Sequence, residues 1–242
     1  MLKRRTVLTH SASVAAWASV PLAVSQGALA QGRKDSIVLA MALEPSPGLD
    51  PTGGAASSIA EVTLYNIYET LTKINADGTV SPLLAESWEV SPDLRTYTFR
   101  LRKGVKFSNG EPFNAQTAVF AFKRAGAEKS TNKDKRTFAS MEAVQVVDDN
   151  TIVVINKELD PDFLFLMGQA TAIIVEPKSA DTNATKPVGT GPYKLDSWAK
   201  GSSVTLSKWD GYRNPGAAKI KKVTFRFISD PAAQVAALLA GD

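Results

Sequence analysis

Residues 71–110 contain the pattern that most constrains the fold, a series of short strand-like segments separated by turn residues. Within it, residues 97–102 alternate between apolar and polar side chains in the order Tyr-Thr-Phe-Arg-Leu-Arg. A period of two is typical of a strand that buries one face. Asp77-Gly78 and the Ser-Pro-Asp sequence at 91–93 are turn signals. The region is therefore predicted to be a half-buried antiparallel sheet.

Helices are predicted on either side of this region, so the fold class is mixed α/β. Asn114 can cap a helix over residues 115–125, and Asp230-Pro231 can open another that ends at Gly241. Near-helical spacing predicts an amphipathic helix through Ile59, Val62, Tyr65, Tyr68 and Leu71. Further hairpins are predicted over 144–155 and 193–208. The apolar run over residues 37–43 predicts a strand buried on both faces.

The first thirty residues have the organisation of a signal peptide. Lys3, Arg4 and Arg5 precede an apolar stretch over residues 14–24, and a small-x-small sequence ends at Ala30. The stretch is shorter than the roughly 20 apolar residues that a membrane-spanning helix needs. We expect cleavage after Ala30 and a periplasmic location, with the general secretory route and the twin-arginine route both open.

Charge and composition exclude several functional classes for the exported chain. Without the signal peptide, 25 basic residues face 24 acidic ones, so nucleic-acid binding has little support. Cysteine is absent, and the single histidine, His10, lies in the signal peptide. Ser-His-Asp catalysis, Cys-His catalysis and the usual zinc ligand sets are thereby excluded. We expect no catalytic residue, metal or cofactor, and the remaining enzymatic alternative is a hydrolase that uses carboxylates.

Several motifs occur in the order found in one family of receptors. Residues 97–113 form Tyr-Thr-Phe-Arg-Leu-Arg-Lys-Gly-Val-Lys-Phe-Ser-Asn-Gly-Glu-Pro-Phe, and residues 187–193 form Pro-Val-Gly-Thr-Gly-Pro-Tyr. Leu-Asp-Pro at 49–51, Tyr-Glu-Thr-Leu at 68–71 and the whole of 71–93 belong to the same series. Together they closely resemble the extracellular solute-binding proteins of family 5, the peptide, opine and nickel receptors of ABC importers.

The resemblance implies a type II periplasmic-binding-protein fold with two lobes that close on a ligand. Residues 31–70 and 185–242 would form the core of the first lobe, and residues 71–184 would form an inserted antiparallel α+β subdomain. Only the first half of a family member is matched, so the second lobe is missing from this sequence. A truncated gene product without transport function is an alternative, and its uncovered face would be apolar.

The segment 53–58, Gly-Gly-Ala-Ala-Ser-Ser, is the first candidate for ligand contact. Small side chains let an extended ligand approach the backbone, and Ser57 and Ser58 offer hydroxyl groups. The alternative is a flexible loop that caps the following helix. In peptide-binding members of the family the matching residues contact the ligand main chain, which implies that role for Ala55, Ala56 and Ser57.

Arg136 and Phe138 are the second group of candidates, because some family members reach toward the ligand with the matching region. A cation there can pair with a carboxylate. The alternative is a solvated run of charges. The implied partners are a small peptide or peptide-like solute and an inner-membrane ABC permease, and we expect a monomer. The family's ligand anchors belong to the second lobe, so the sequence does not specify the ligand.

The glycines of Gly189-Thr190-Gly191 resemble a phosphate-binding loop only superficially. A nucleotide-binding glycine loop leads into a helix. Here Pro192 and a predicted strand follow instead. A structural turn is the better prediction.

Overall fold

The computed structural model describes residues 35–240, and within that range it has the predicted mixed α/β composition. The strands are β1 Ser36–Met41, β2 Thr72–Ile74, β3 Val80–Pro82, β4 Ala85–Val90, β5 Thr96–Leu101, β6 Met141–Asp148, β7 Thr151–Asn156, β8 Tyr193–Ala199, β9 Ser203–Lys208 and β10 Lys222–Phe227. The helices are α1 Ser57–Thr63, α2 Ala115–Gly126, α3 Lys135–Ala139, α4 Phe163–Leu166 and α5 Pro231–Ala240. The predicted signal peptide lies outside the described residues.

One four-stranded sheet has the strand order β1-β10-β9-β8. β1 and β10 are parallel, with Ile37 opposite Val223, and the other two pairings are antiparallel. β8 and β9 form the predicted hairpin, and its turn uses Gly201 at a φ of 72°, a conformation that glycine adopts without steric cost. The sheet therefore combines a strand from the start of the described chain with three strands from beyond residue 185.

A second sheet, with the order β4-β5-β7-β6, is antiparallel throughout and lies within residues 71–184. Tyr97, Phe99 and Leu101 are at most 2% exposed, which confirms the period of two in the sequence. Across the strand pair, Ile152 lies opposite Phe99 and Val154 opposite Tyr97, and both are buried. One face of this sheet thus forms a large part of the hydrophobic core.

Helix α2 packs against this sheet and begins at the predicted cap. The Asn114 side chain accepts the backbone N–H of Thr117 at 3.1 Å, and the Thr117 hydroxyl accepts the N–H of Asn114. This reciprocal pair satisfies two N–H groups that a helix start leaves free. Val119 and Phe122 point into the core.

Helix α1 is shorter than the sequence pattern predicts. The expected helix through Tyr65, Tyr68 and Leu71 is wrong beyond Thr63, because Tyr65 adopts a left-handed φ of 58°. The Tyr65 hydroxyl donates to the carbonyl of Gly168 at 2.8 Å and accepts the N–H of Ile74 at 3.0 Å. Contacts with distant segments therefore override the local helical spacing, although Ile59, Val62, Tyr68 and Leu71 are buried and Tyr65 is partly buried.

Strand β1 is present, but the predicted burial of both its faces is wrong. Ile37 is 41% exposed and Val38 is 48% exposed. Successive residues of a strand point to opposite faces of the sheet, so both faces are open at this strand within residues 35–240. β1 lies at the edge of the sheet, with β10 as its neighbour.

Helix α5 begins where the sequence predicts. The Asp230 side chain accepts the N–H of Ala233 at 2.8 Å. Val235, Leu238 and Leu239 are 58%, 75% and 83% exposed. Exposed apolar side chains on one short element are typical of a surface that contacts other polypeptide. The predicted helix end at Gly241 lies outside the described residues.

The turn at residues 189–191 packs tightly against the backbone that follows α1. Gly191 donates its N–H to the carbonyl of Ile67 at 2.9 Å, and Tyr193 donates to Asn66 at 2.9 Å. Gly189 accepts a hydrogen bond from the N–H of Ser108 at 2.9 Å. The turn has the predicted structural role, since its backbone groups form hydrogen bonds within the chain.

Candidate functional site

The segment 53–58 runs along the surface into the start of α1. Ala55 and Ser57 are exposed, and Ala56 is extended and partly exposed. Ser58 is 2% exposed, and its hydroxyl donates to the carbonyl of Glu44 at 3.2 Å. Of the four predicted contact residues, Ala55, Ala56 and Ser57 are therefore accessible to solvent. Ser58 is buried, and its hydrogen bond to Glu44 holds the segment against the chain.

The second group of candidates is split between surface and core. Arg136 is exposed on α3. Phe138 is 5% exposed, and its ring centroid lies 5.7 Å from that of Phe122. An interior ring of this kind packs the helix onto the core, so Arg136 is the better placed of the two for contact with a solute. Both binding roles stay predictions.

A cavity of about 280 Å³ lies between the segment 53–58 and the loop after α2. The Thr131 hydroxyl donates to the carbonyl of Gly53 at 3.4 Å across it. The lining residues are Thr52, Gly53, Arg124, Ala127, Lys129, Ser130 and Thr131. The structure thus brings the loop that leads to α3 next to the first candidate segment, a proximity that sequence spacing does not reveal.

The segment is held in place by a tight turn at residues 50–53, the Asp50 turn. Asp50 Oδ1 accepts two hydrogen bonds from Thr52, one from its backbone N–H at 2.9 Å and one from its side-chain hydroxyl at 2.6 Å. The Asp50 carbonyl accepts the N–H of Gly53 at 3.0 Å. Arg124 on α2 donates to Asp50 Oδ2 at 2.8 Å and also to the Thr52 hydroxyl. Sequence reasoning missed Arg124. An arginine near the end of a mostly apolar helix was the available signal.

A buried carboxylate, Glu69, is the centre of a second group that sequence reasoning missed. It is 2% exposed and forms a bidentate pair with Arg213, at 2.5 and 2.8 Å. The hydroxyl groups of Tyr212 and Thr190 also donate to it, both at 2.9 Å. We call Glu69, Thr190, Tyr212 and Arg213 the Glu69 cluster. It ties residues 66–69 to the loop between β9 and β10.

Buried carboxylates matter for the hydrolase alternative, because a general acid or base needs a carboxyl group that can reach a substrate. Among residues 35–240 the buried acids are Asp50, Glu69 and Glu176. Glu176 accepts the N–H of Lys178 at 2.9 Å and the amide of Asn109 at 3.2 Å. All three are therefore engaged in bonds within the chain, which is how structural carboxylates behave.

Burial changes the acidity of all five tyrosines in the sequence. It is the largest cause of the raised pKa at Tyr65, Tyr68, Tyr97, Tyr193 and Tyr212. At Tyr212, burial and then the negative charge of Glu69 raise the pKa to about 12. Desolvation has this sign because it disfavours the charged phenolate.

A tyrosine titration therefore has a defined expected result. An unfolded tyrosine loses its proton near pH 10, whereas the folded chain keeps it. The contribution of Tyr212 to the free energy of unfolding is therefore complete below pH 10 and is lost as the pH rises toward 12. Ultraviolet absorbance should show phenolate appearing only above pH 10, and Tyr212→Phe should remove the transition near pH 12. A tyrosine that titrates at its ordinary pKa in the folded chain would contradict this.

Two kinds of feature are absent from the described part of the chain. Between residues 35 and 240, no helix has the length and apolar character required to cross a bilayer. In the same range, no group of three or more acidic, histidine or cysteine side chains is arranged to hold a metal ion.

Known proteins resemble this chain over most of its length. The glutathione-binding protein GsiB of Escherichia coli strain K12 is 28% identical over 198 residues, which are 80% of this chain and 38% of GsiB. The structure of AgaA from A. tumefaciens R10 in complex with agropinic acid matches with a TM-score of 0.80 and 29% identity, over 86% of this chain and 42% of AgaA.

A third relative is the ABC transporter-associated periplasmic binding protein DppA from Helicobacter pylori in complex with the peptide STSA. It matches with a TM-score of 0.76 and 29% identity, over 85% of this chain and 45% of DppA. The chain therefore spans less than half the length of these relatives. The fold is that of periplasmic binding proteins, as the sequence motifs predicted.

The family assignment follows from the extent of the match. The family described as bacterial extracellular solute-binding proteins, family 5, middle region, matches residues 79–242. That range includes the second sheet, helix α2, the turn at 189–191 and the loop that carries Arg213. The chain belongs to the bacterial extracellular solute-binding proteins of family 5.

Proposed function

We propose that this chain contributes the first lobe of a non-enzymatic receptor that captures a small peptide or peptide-like solute and delivers it to an ABC permease. The observation that carries the proposal is the exposed segment of small residues at 55–57, held beside a cavity of about 280 Å³. Family membership supports it, since the relatives are binding proteins. The peptide bound to DppA and the agropinic acid bound to AgaA indicate the size of solute.

The chemistry of the segment suits a peptide main chain. Ala55, Ala56 and Ser57 carry at most two side-chain heavy atoms each, so a ligand backbone can approach closely. Extended peptides commonly bind by main-chain hydrogen bonds, and the backbone at Ala56 is already extended, with φ −68° and ψ 130°. Arg136, on α3, would supply a positive charge for a carboxylate of the solute.

The proposed domain organisation follows the sheets. Residues 31–70 and 185–242 would form the lobe core around the β1-β10-β9-β8 sheet, and residues 71–184 would form the inserted subdomain around the second sheet. Closure on the ligand would require a second lobe. We also propose export to the periplasm with cleavage after Ala30, and a monomeric receptor.

A binding experiment on the chain tests the placement of the site. Nuclear magnetic resonance titration with dipeptides, tripeptides, glutathione and an opine should shift backbone signals of residues 53–58 in a saturable way. Ser57→Trp should weaken the response at least tenfold, because the indole would fill the approach to the backbone. The matched control is Ser202→Trp, an exposed serine in the β8–β9 turn, which should leave the response unchanged.

Two outcomes would contradict the proposal. One is a saturable response elsewhere on the chain with residues 53–58 unaffected, and the other is no response to any compound in the panel. The samples should also be assayed for cleaved peptide. Turnover that disappears on mutation of a specific carboxylate would favour the hydrolase instead.

A further inference from the structure

We infer that Arg124 is a positioning residue for the candidate ligand segment, and that it acts through the Asp50 turn. This inference rests on the proposed function, since it concerns the same segment. Arg124 itself does not belong to the surface formed by residues 55–57. Its guanidinium group joins α2 to two other parts of the chain, the Asp50 turn and the carbonyl of Ala180 at 3.3 Å.

The first step is the burial of the ion pair. The Asp50 side chain is 5% exposed and that of Arg124 is 28% exposed, and the two groups approach to 2.8 Å. A largely buried pair is screened by salt and water much less than a surface pair is. The pair therefore gives the turn a fixed anchor on the helix.

The second step is the set of hydrogen bonds through which the anchored Asp50 carboxylate fixes the conformation of the turn. Asp50 Oδ1 holds both the N–H and the hydroxyl of Thr52, and Oδ2 faces Arg124. The Thr52 hydroxyl accepts from Arg124 while it donates to Asp50. Both oxygens of the Asp50 carboxylate therefore help to fix residues 50–53, which immediately precede the candidate segment.

The third step is the planar shape of the guanidinium group. It spans three acceptors at once, namely the Asp50 carboxylate, the Thr52 hydroxyl and the Ala180 carbonyl. A lysine carries the same charge but is a point donor on a flexible stem, and it does not reproduce this fork. Arg124→Lys should therefore keep the charge and lose part of the positioning.

Hydrogen exchange measures the inferred effect without any ligand. In Arg124→Gln, amide exchange of Thr52 and Gly53, whose N–H groups are hydrogen-bonded within the Asp50 turn, should accelerate at least tenfold, while exchange in β5 and β7 changes little. Arg124→Lys should lie between this variant and the original chain. Thr52→Val, which removes the shared hydroxyl, should give a smaller change in the same direction and serves if Arg124→Gln does not fold.

Two matched controls separate positioning from general loss of charge. Arg95→Gln breaks a surface pair with Glu142 at 3.1 Å on the second sheet. Lys123→Gln removes the exposed charge next to Arg124 on the same helix. Neither should alter exchange at Thr52 and Gly53. Equal acceleration across the whole chain in Arg124→Gln, or none at Thr52 and Gly53, would overturn the inference.

A second readout links the effect to binding. Titration with trialanine should show an affinity at least tenfold weaker for Arg124→Gln than for the original chain, with Arg124→Lys intermediate. If the original chain does not bind trialanine, that result counts against the proposed function, and the exchange measurement still decides the role of Arg124. Equal affinity for trialanine in all variants would refute a positioning role in binding.

Discussion

Replacing Gly189 with alanine should destabilise the folded chain by about 3 kcal/mol or more, the largest effect expected of any single methyl group here. A β-carbon at this position would lie 2.0 Å from the carbonyl oxygen of Ile67 and 2.9 Å from the ring of Tyr68. The oxygen belongs to backbone that is itself hydrogen-bonded to Gly191. Neither partner can move without separating the turn from the core, so the strain has no local release.

Urea denaturation followed by circular dichroism measures this effect. The matched control is Gly216→Ala, where the added β-carbon would meet its nearest neighbour, Asn214 Oδ1, at 3.7 Å. That is ordinary van der Waals contact, and the midpoint should move little. A Gly189→Ala chain as stable as the control would show that the backbone around Ile67 is adaptable, contrary to the close packing described here.

The second large effect is expected at Glu69. Glu69→Ala should reduce the free energy of unfolding by about 3 to 5 kcal/mol, since it leaves the largely buried Arg213 without its counter-charge. The hydroxyl groups of Tyr212 and Thr190 would lose their acceptor in the same step. Unpaired buried donors add to the destabilisation because they have left water without a replacement bond.

Glu111→Ala is a suitable control for this substitution. Glu111 forms a 2.6 Å ion pair with Lys178, but both side chains are well exposed, at 40% and 76%. Surface pairs contribute about 0 to 1 kcal/mol, so this variant should unfold close to the original midpoint. A double variant, Glu69→Met with Arg213→Met, should recover much of the lost stability because no charge remains unpaired. Similar midpoints for Glu69→Ala and Glu111→Ala would contradict the structural role of the Glu69 cluster.

Local sequence signals predicted the secondary structure best where the stabilising contacts lie within one short segment. The Asn114 cap, the Asp230 start of α5 and the β8–β9 turn at Gly201 each depend on residues within a few positions of one another. The alternation in β5 is similar, because one buried face imposes its pattern on the strand directly. These elements were confirmed for that reason.

The sequence did not predict ion pairs and hydrogen bonds between residues that are far apart in the chain. Arg124 and Asp50 are 74 residues apart, and Glu69 and Arg213 are 144 apart. Tyr65 leaves the helical conformation because its hydroxyl binds Gly168, 103 residues away. No local period or spacing carries that information. The apolar run at β1 was similarly ambiguous, since composition does not say whether a strand lies at the edge of a sheet or inside it.

The sequence by itself thus determined the family, the types of most strands and helices, and the segment of small residues proposed for ligand contact. Only the tertiary structure decided which of the candidates are exposed, with Ala55 and Ser57 on the surface and Phe138 in the core. It also decided what holds the segment, namely Arg124 acting on the Asp50 turn. The physical reason is that exposure and charge pairing are set by chain topology, which brings together residues that local sequence patterns treat as unrelated.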